Sequence, residues 1–417
     1  MQKFKSTSRF ASLLLGGSLF AASCGLVSCS REEVAPSSAA TPTTNTASDV
    51  RADDLIPGQY IIVLKDNAVA TDPTDTYADK VGKVRAAAQG LLRGRGLQAS
   101  AVGNAYGHVI KGFSARLTGH EAAALASDGR VAYVEQDKIV SLGKPVKGGT
   151  APAPAPTPST QTIPYGISRV GSGDGTGRTA WIIDTGIDLT HPDLTVDQGR
   201  SRSFLSSSSG ADYASPNDGN GHGTHVAGTI AAKNNSIGVV GVAAGATVVA
   251  VRVLDSSGSG TSSGVIAGID YVGANARVGD VANMSLGGSA SQALDDAVLN
   301  ASNKGILFAV AAGNDGVSAT QASPARVNGA NIFTVSAMDN TDTWAYFSNY
   351  GNPPVDYCMP GVNINSTWIG GSYNTISGTS MATPHMAGVL LLRGKSFTTN
   401  GSVKSDPDGS ADPIAHL

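Results

Sequence analysis

The chain has 417 residues, a formal net charge of −3 and 15% charged residues, well under the usual quarter. That balance excludes a general attraction to nucleic acid or to an anionic membrane surface. A content of 52 glycines suits a loop-rich globular protein and argues against a disordered or coiled-coil chain. Of the three cysteines, Cys24 and Cys29 lie close together near the start, which leaves Cys358 without an internal disulfide partner if the start is removed. Core packing, helped by a metal ion, must then hold the fold.

In chain order, Lys3, Lys5 and Arg9 precede a short apolar run from Phe10 to Ala22. The run is too short to span a bilayer comfortably, so residues 1–29 read as an export signal. Leu26-Val27-Ser28-Cys29 resembles a bacterial lipobox, in which Cys29 would be acylated; an ordinary signal peptide is the alternative. Residues 30–55, rich in Ser, Thr, Ala and Pro, read as a flexible tether. The chain is then expected outside the cell, or tethered to the bacterial envelope.

Residues 56–142 carry strand character at Tyr60–Leu64, His108–Leu117 and Val131–Glu135, and helical spacing at Tyr77–Leu92 and Glu121–Ala126. Helices interleaved with strands predict a small α+β domain of ferredoxin-like type. Residues 143–160 bring alternating Ala-Pro pairs, which make an extended, protease-accessible linker. From 161 to 417, strands at Ala180–Ile183, Val248–Leu254, Val281–Leu286, Ile306–Ala311 and Ile332–Ala337 alternate with helical stretches at Ser263–Ala276 and Gln292–Lys304. That alternation predicts an α/β domain with a mainly parallel sheet covered on both faces. Functional residues then belong beyond the C-terminal strand ends.

Acyl transfer needs a nucleophile, a base, a group that orients the base, and donors for an oxyanion. Asp184 follows Trp181-Ile182-Ile183, His222 opens Gly221-His222-Gly223-Thr224-His225, and Ser380 sits in Ser377-Gly378-Thr379-Ser380-Met381-Ala382-Thr383-Pro384-His385. Singly, each also reads as a turn former or a helix cap. A metal pair of His222 and His225 is the rival reading, but it lacks the spacing and the glutamate of H-E-x-x-H.

Together the three stretches resemble the signatures of subtilisin-type serine peptidases, in that family's order of Asp, His and Ser, over about Gln161 to Gly394. Residues 56–142 are similar to the family's inhibitor prodomain at Gly112-Phe113-Ser114-Ala115 and Val134-Glu135-Gln136-Asp137. The resemblance implies a three-layer subtilisin-like fold. It implies Ser380 as nucleophile, His222 as base, Asp184 as its partner and Asn314 as oxyanion donor. Gly258-Ser259-Gly260 and Ser285-Leu286-Gly287 match the two edges that pair with an extended peptide, and Ala312-Gly313 completes the primary pocket. The implied partners are protein or peptide substrates, with a preference for apolar or aromatic residues, and the chain's own prodomain as folding aid and inhibitor. A monomer is expected. A structural Ca²⁺ is also implied, held by the side chains of Gln161, Asp193 and Asn235 and by backbone oxygens of Lys233, Ile237 and Val239. Maturation cleavage is then expected in the Pro-rich linker or just after it. A catalytically dead, peptide-binding relative is the alternative. The polar tail after Gly394 departs from the family's longer helical ending, so the C-terminal cover must differ.

Overall fold

The computed structural model of the chain describes residues 54–143 and 160–417, so Cys24, Cys29, the apolar leader and the Ala-Pro linker lie outside the described residues. The first domain runs β1 (Leu55–Leu64), α1 (Tyr77–Arg93), β2 (Val102–Tyr106), β3 (Gly112–Arg116), α2 (Gly119–Ala126) and β4 (Val131–Ser141). The strands are antiparallel in the order β4-β1-β3-β2. Both helices start in capping boxes, Thr76 with Asp79 and Thr118 with Glu121, which satisfy the first free N–H groups. Alternation along β1 divides its side chains between the two faces. Ile62 and Leu64 pack with Val84, Leu91 and Leu125 under the helices, while Ile61 and Val63 join the core of the second domain.

The run His108–Leu117 is a strand only from Gly112 to Arg116. Its first residues turn instead, because the N–H groups of Gly107, His108 and Val109 donate to the carboxylate of Asp270 at 3.0, 2.7 and 2.7 Å. A side-chain acceptor in the other domain takes the place of a neighbouring strand.

The second domain is built on parallel strands β5 (Thr179–Asp184), β6 (Thr247–Arg252), β8 (Val281–Met284), β10 (Leu307–Ala311), β11 (Ile332–Met338) and β12 (Val355–Pro360), in the order β12-β11-β10-β8-β5-β6. Two short segments, β7 (Ser259–Thr261) and β9 (Gly287–Ser289), lie outside this sheet. On β5, Ala180 and Ile182 face the helices His222–Ala231 (α3) and Thr379–Arg393 (α6). Trp181 and Ile183 face Ser262–Asn275 (α4) and Gln292–Ser302 (α5). Burial on both faces explains why these strands read as continuous apolar runs.

The first domain lays the open face of its sheet on α4 and α5. Asp137 accepts from the Ser263 N–H and Glu135 from the Ala293 N–H, both at 3.0 Å, so two of its carboxylates sit at the positive ends of two helices. The tail ends in an antiparallel hairpin of β13 (Thr398–Ser402) and β14 (Pro413–His416), the predicted departure from a helical ending. Cys358 is fully buried against Met338, Val403 and Ile414, and burial pushes its thiol up, which makes it inert. Among the described residues, no helix is long and apolar enough to cross a membrane.

Candidate active site

Asp184, Ser285 and Asn314 stand at or just beyond the C-terminal ends of β5, β8 and β10, adjacent strands of the parallel sheet. His222 opens α3, and its Nδ1 lies 2.8 Å from Oδ1 of the fully buried Asp184. The Thr185 N–H donates to the same oxygen at 2.7 Å. The turn before His222 needs glycine: Gly221 has φ of 115°, and a Cβ there would fall 2.3 Å from the Trp368 indole. Asp218 is buried beneath this turn. It accepts from the N–H groups of Asn220, Gly221 and Thr224 and from the hydroxyls of Thr185 and Thr224. Five donors thus fix one carboxylate, and that carboxylate fixes the start of the helix that carries His222.

His225 turns elsewhere. Its Nε2 lies 2.9 Å from the Ile364 carbonyl, and burial pushes its pKa down to about 3. The two histidines therefore engage different partners and do not form a metal pair.

Ser380 is the second residue of α6 and is buried. Its Oγ donates to the Ser285 carbonyl at 3.2 Å. Asn314 uses Oδ1 to accept from both the N–H and the hydroxyl of Thr379, each at 2.9 Å. With the amide oxygen so engaged, Nδ2 is the donor end of the side chain, and a Cβ on Gly378, two residues before Ser380, would stand 3.4 Å from it. Ala312 and Gly313 lie under this loop, where Asn349 Nδ2 donates to the Ala312 carbonyl at 2.9 Å and Thr379 Oγ1 accepts from the Gly313 N–H at 3.2 Å.

The end of β4 runs between β7 and β9. Ile139, Val140 and Ser141 pair with Thr261, Gly260 and Ser259 on one side, and Val140 and Ser141 with Gly288 and Gly287 on the other. The Leu142 N–H donates to the Gly258 carbonyl at 3.2 Å, and a Cβ on Gly258 would meet the Leu142 side chain at 2.7 Å. Val140 is buried in a cluster that includes Leu254 and Leu286. The edge residues at 258–261 and 287–288 therefore pair with an extended segment of this same chain.

A second group gathers away from the cleft. Gln161 Nε2 donates to the carbonyls of Lys233 and Val239 at 2.8 and 3.3 Å. Asp193 accepts from Asn235 Nδ2 at 2.7 Å, the Val239 N–H at 3.2 Å and the Tyr373 hydroxyl at 3.1 Å. The Ile237 N–H donates to Asn235 Oδ1 at 2.8 Å. One carboxylate with neutral donors, two amides that can present oxygen when turned over, and converging carbonyls make an all-oxygen set that fits Ca²⁺.

Asp218, Thr185 and Thr379 were missed in the sequence. The signal for Asp218 was Asp218-Gly219-Asn220-Gly221 directly before a helix start, a run that favours side-chain to backbone turns.

Residues 175–399 match the family described as Subtilase family, and residues 59–143 match Peptidase inhibitor I9. The chain is 45% identical over 312 residues to the alkaline serine exoprotease A of Vibrio alginolyticus, covering 73% of this chain but only 55% of that protein. It is 41% identical over 352 residues to the extracellular serine proteinase of Thermus sp. (strain Rt41A), covering 82% of each. Among solved structures, a cold adapted subtilisin-like serine proteinase shares 41% identity with a TM-score of 0.53, covering 60% of this chain and 97% of that one.

Proposed function

Because the chain belongs to the subtilase family of serine peptidases, we propose that it is exported as a self-processing zymogen and acts on proteins through an acyl-enzyme. Ser380 Oγ attacks the scissile carbonyl, His222 takes the proton and returns it to the leaving amine, and Asp184 holds His222 in the useful tautomer. Asn314 Nδ2 and the Ser380 N–H receive the oxyanion. The observation that carries this reading is the course of residues 139–143, an extended strand between β7 and β9 that delivers Gly143 to Asn314.

That course supports residues 54–143 as the prodomain and the Gly143–Lys144 bond as the first one cut, at the very start of the linker. The rest of the linker would then remain on the peptidase until trimmed. Export as a soluble or Cys29-anchored form follows from the leader, and the name of the Thermus relative favours the extracellular side. The edge glycines support broad specificity, with apolar residues preferred.

The residues around Asp193 would hold Ca²⁺, whose chemistry there is structural: it ties the segment at Gln161 to the loop 233–239. Chelation should lower the melting temperature, and Asp193→Asn should remove that response.

Expression of the precursor with and without Ser380→Ala tests the reading. The unaltered chain should yield a peptidase whose N-terminus begins at Lys144 before trimming, labelled by a fluorophosphonate. The Ser380→Ala chain should stay whole, unlabelled and inactive; retained proteolysis would falsify the assignment.

A further inference from the structure

Ser380 lies in the first turn of α6, where its carbonyl would ordinarily accept the N–H four residues on. That residue is Pro384, which has no N–H and whose ring crowds the carbonyl four positions back. The Ser380 carbonyl is buried with its residue, so it needs another donor. Ser285 supplies it: the Ser285 hydroxyl donates to the Ser380 carbonyl at 2.8 Å.

The same hydroxyl accepts from Asn283 Nδ2 at 2.9 Å. Asn283 is fully buried on β8, between Ile182 of β5 and Ala309 of β10, and its Oδ1 has no hydrogen-bond partner among the described residues. A buried amide with an unmade hydrogen bond is costly, so its presence in the sheet needs a reason. The amide N–H can only donate, which leaves the single proton of the Ser285 hydroxyl to point at Ser380. Meanwhile the Ser285 carbonyl accepts from Ser380 Oγ at 3.2 Å. One residue thus grips Ser380 at its side chain and at its backbone.

We propose that Asn283 and the Ser285 hydroxyl are positioning residues for catalysis, replacing the helical hydrogen bond that Pro384 removes and so fixing the peptide group on which Ser380 Oγ is aimed. The proposal rests on Ser380 being the nucleophile. The Ser380→Ala experiment tests that premise separately.

The experiment is a double-mutant cycle between Ser285→Ala and Pro384→Ala. It is read as kcat and KM on a peptide anilide, with active sites counted by fluorophosphonate titration and melting temperature recorded beside them. Ser285→Ala should lower kcat roughly tenfold with KM little changed. Ser285→Thr, which keeps the hydroxyl, should restore most of it. Pro384→Ala supplies an N–H to the Ser380 carbonyl, so on that background the Ser285→Ala loss should shrink to about twofold or less. Asn283→Leu, nearly isosteric, should lower kcat severalfold without lowering the melting temperature. A Ser285→Ala loss of equal size on both backgrounds, or one confined to KM, overturns the proposal. Should Ser285→Ala fail to accumulate, the cycle of Asn283→Leu with Pro384→Ala decides by the same comparison.

Discussion

A methyl group placed on Gly143 would stand 3.5 Å from Nδ2 of Asn314, so the prodomain's chain reaches the side chain proposed to receive the oxyanion. Two residues earlier than Leu142, Val140 is only 1% exposed within an apolar cluster that includes Leu254 and Leu286. An aspartate at that position would bury a carboxylate with no partner, at a cost of several kcal/mol. Val140→Asp should therefore weaken the hold of the cleaved prodomain at least about 100-fold. Inhibition of the mature peptidase by prodomain added back measures this directly. An unchanged inhibition constant would mean that the tail contributes nothing to the hold.

Asn314 is aimed by Thr379, whose N–H and hydroxyl both occupy its Oδ1. Asn314→Leu removes the donor and should lower kcat about 10²- to 10³-fold, a figure carried over from subtilisin. Thr379→Val keeps the donor but releases one of its two restraints, and the kcat loss should be about three- to tenfold with KM nearly unchanged. Steady-state kinetics on one small substrate separates the two. A Thr379→Val effect confined to KM would show that the hydroxyl serves binding rather than aim.

The sheet was legible in the sequence because its strands are buried on both faces, so that Ala180–Ile183 or Ile332–Ala337 could be little else. The residues expected at the site could be named because they sit in short, contiguous stretches. What supports them could not. Asp218 acts through five donors drawn from three separate residues near it and from Thr185 across the fold. Asn283 looks in sequence like a polar intrusion into a strand, and its use appears only when β8 lies next to α6. The overlong strand at His108–Leu117 failed for the same reason, since Asp270 lies more than 150 residues away in the chain. Local pattern fixes an element's type, whereas tertiary closure decides which polar groups are spent on holding it.

The junction of His108 and Asp270 gives the prodomain's grip a hidden pH response. Docked, His108 is pushed from 6.5 down to about 4 by burial first and by Lys304 and Lys80 next. Docking disfavours its charged form, so this contribution is full above about pH 6.5 and is lost as pH falls towards 4. Asp270 is raised by burial from 3.8 to about 6 despite its three N–H donors. Its three donors come from the prodomain itself, so docking supplies Asp270 with hydrogen bonds as well as burial. Prodomain affinity should therefore fall severalfold through His108 as the buffer is taken from neutral to about pH 4.5, and His108→Gln should flatten that fall. Binding measured by calorimetry across that range decides, and a His108→Gln profile parallel to that of the unaltered prodomain would sink the idea.

The terminal hairpin closes the far edge of the sheet. Ile414 and Ala415 are fully buried, and Val403 and Ile414 cover Met338 and Cys358. Asp412 ties the hairpin down by accepting from the Ser336 hydroxyl at 2.5 Å and from Asn352 Nδ2 at 2.8 Å, and the Leu417 N–H reaches the Val170 carbonyl at 3.1 Å. Ile414→Ala removes a packed side chain at a cost of about 2–4 kcal/mol. For a domain of this size that should lower the melting temperature by about 5–15 °C. The residues around Ser380 do not contact Ile414 within its cluster, so kcat per titrated site at room temperature should stay within about twofold. Cys358 supplies an internal reporter: it is sealed in the intact protein, and loosening the hairpin should expose it to a thiol reagent before the activity is lost. Labelling of Cys358 that begins only together with loss of activity would mean that the hairpin opens with the whole domain rather than ahead of it.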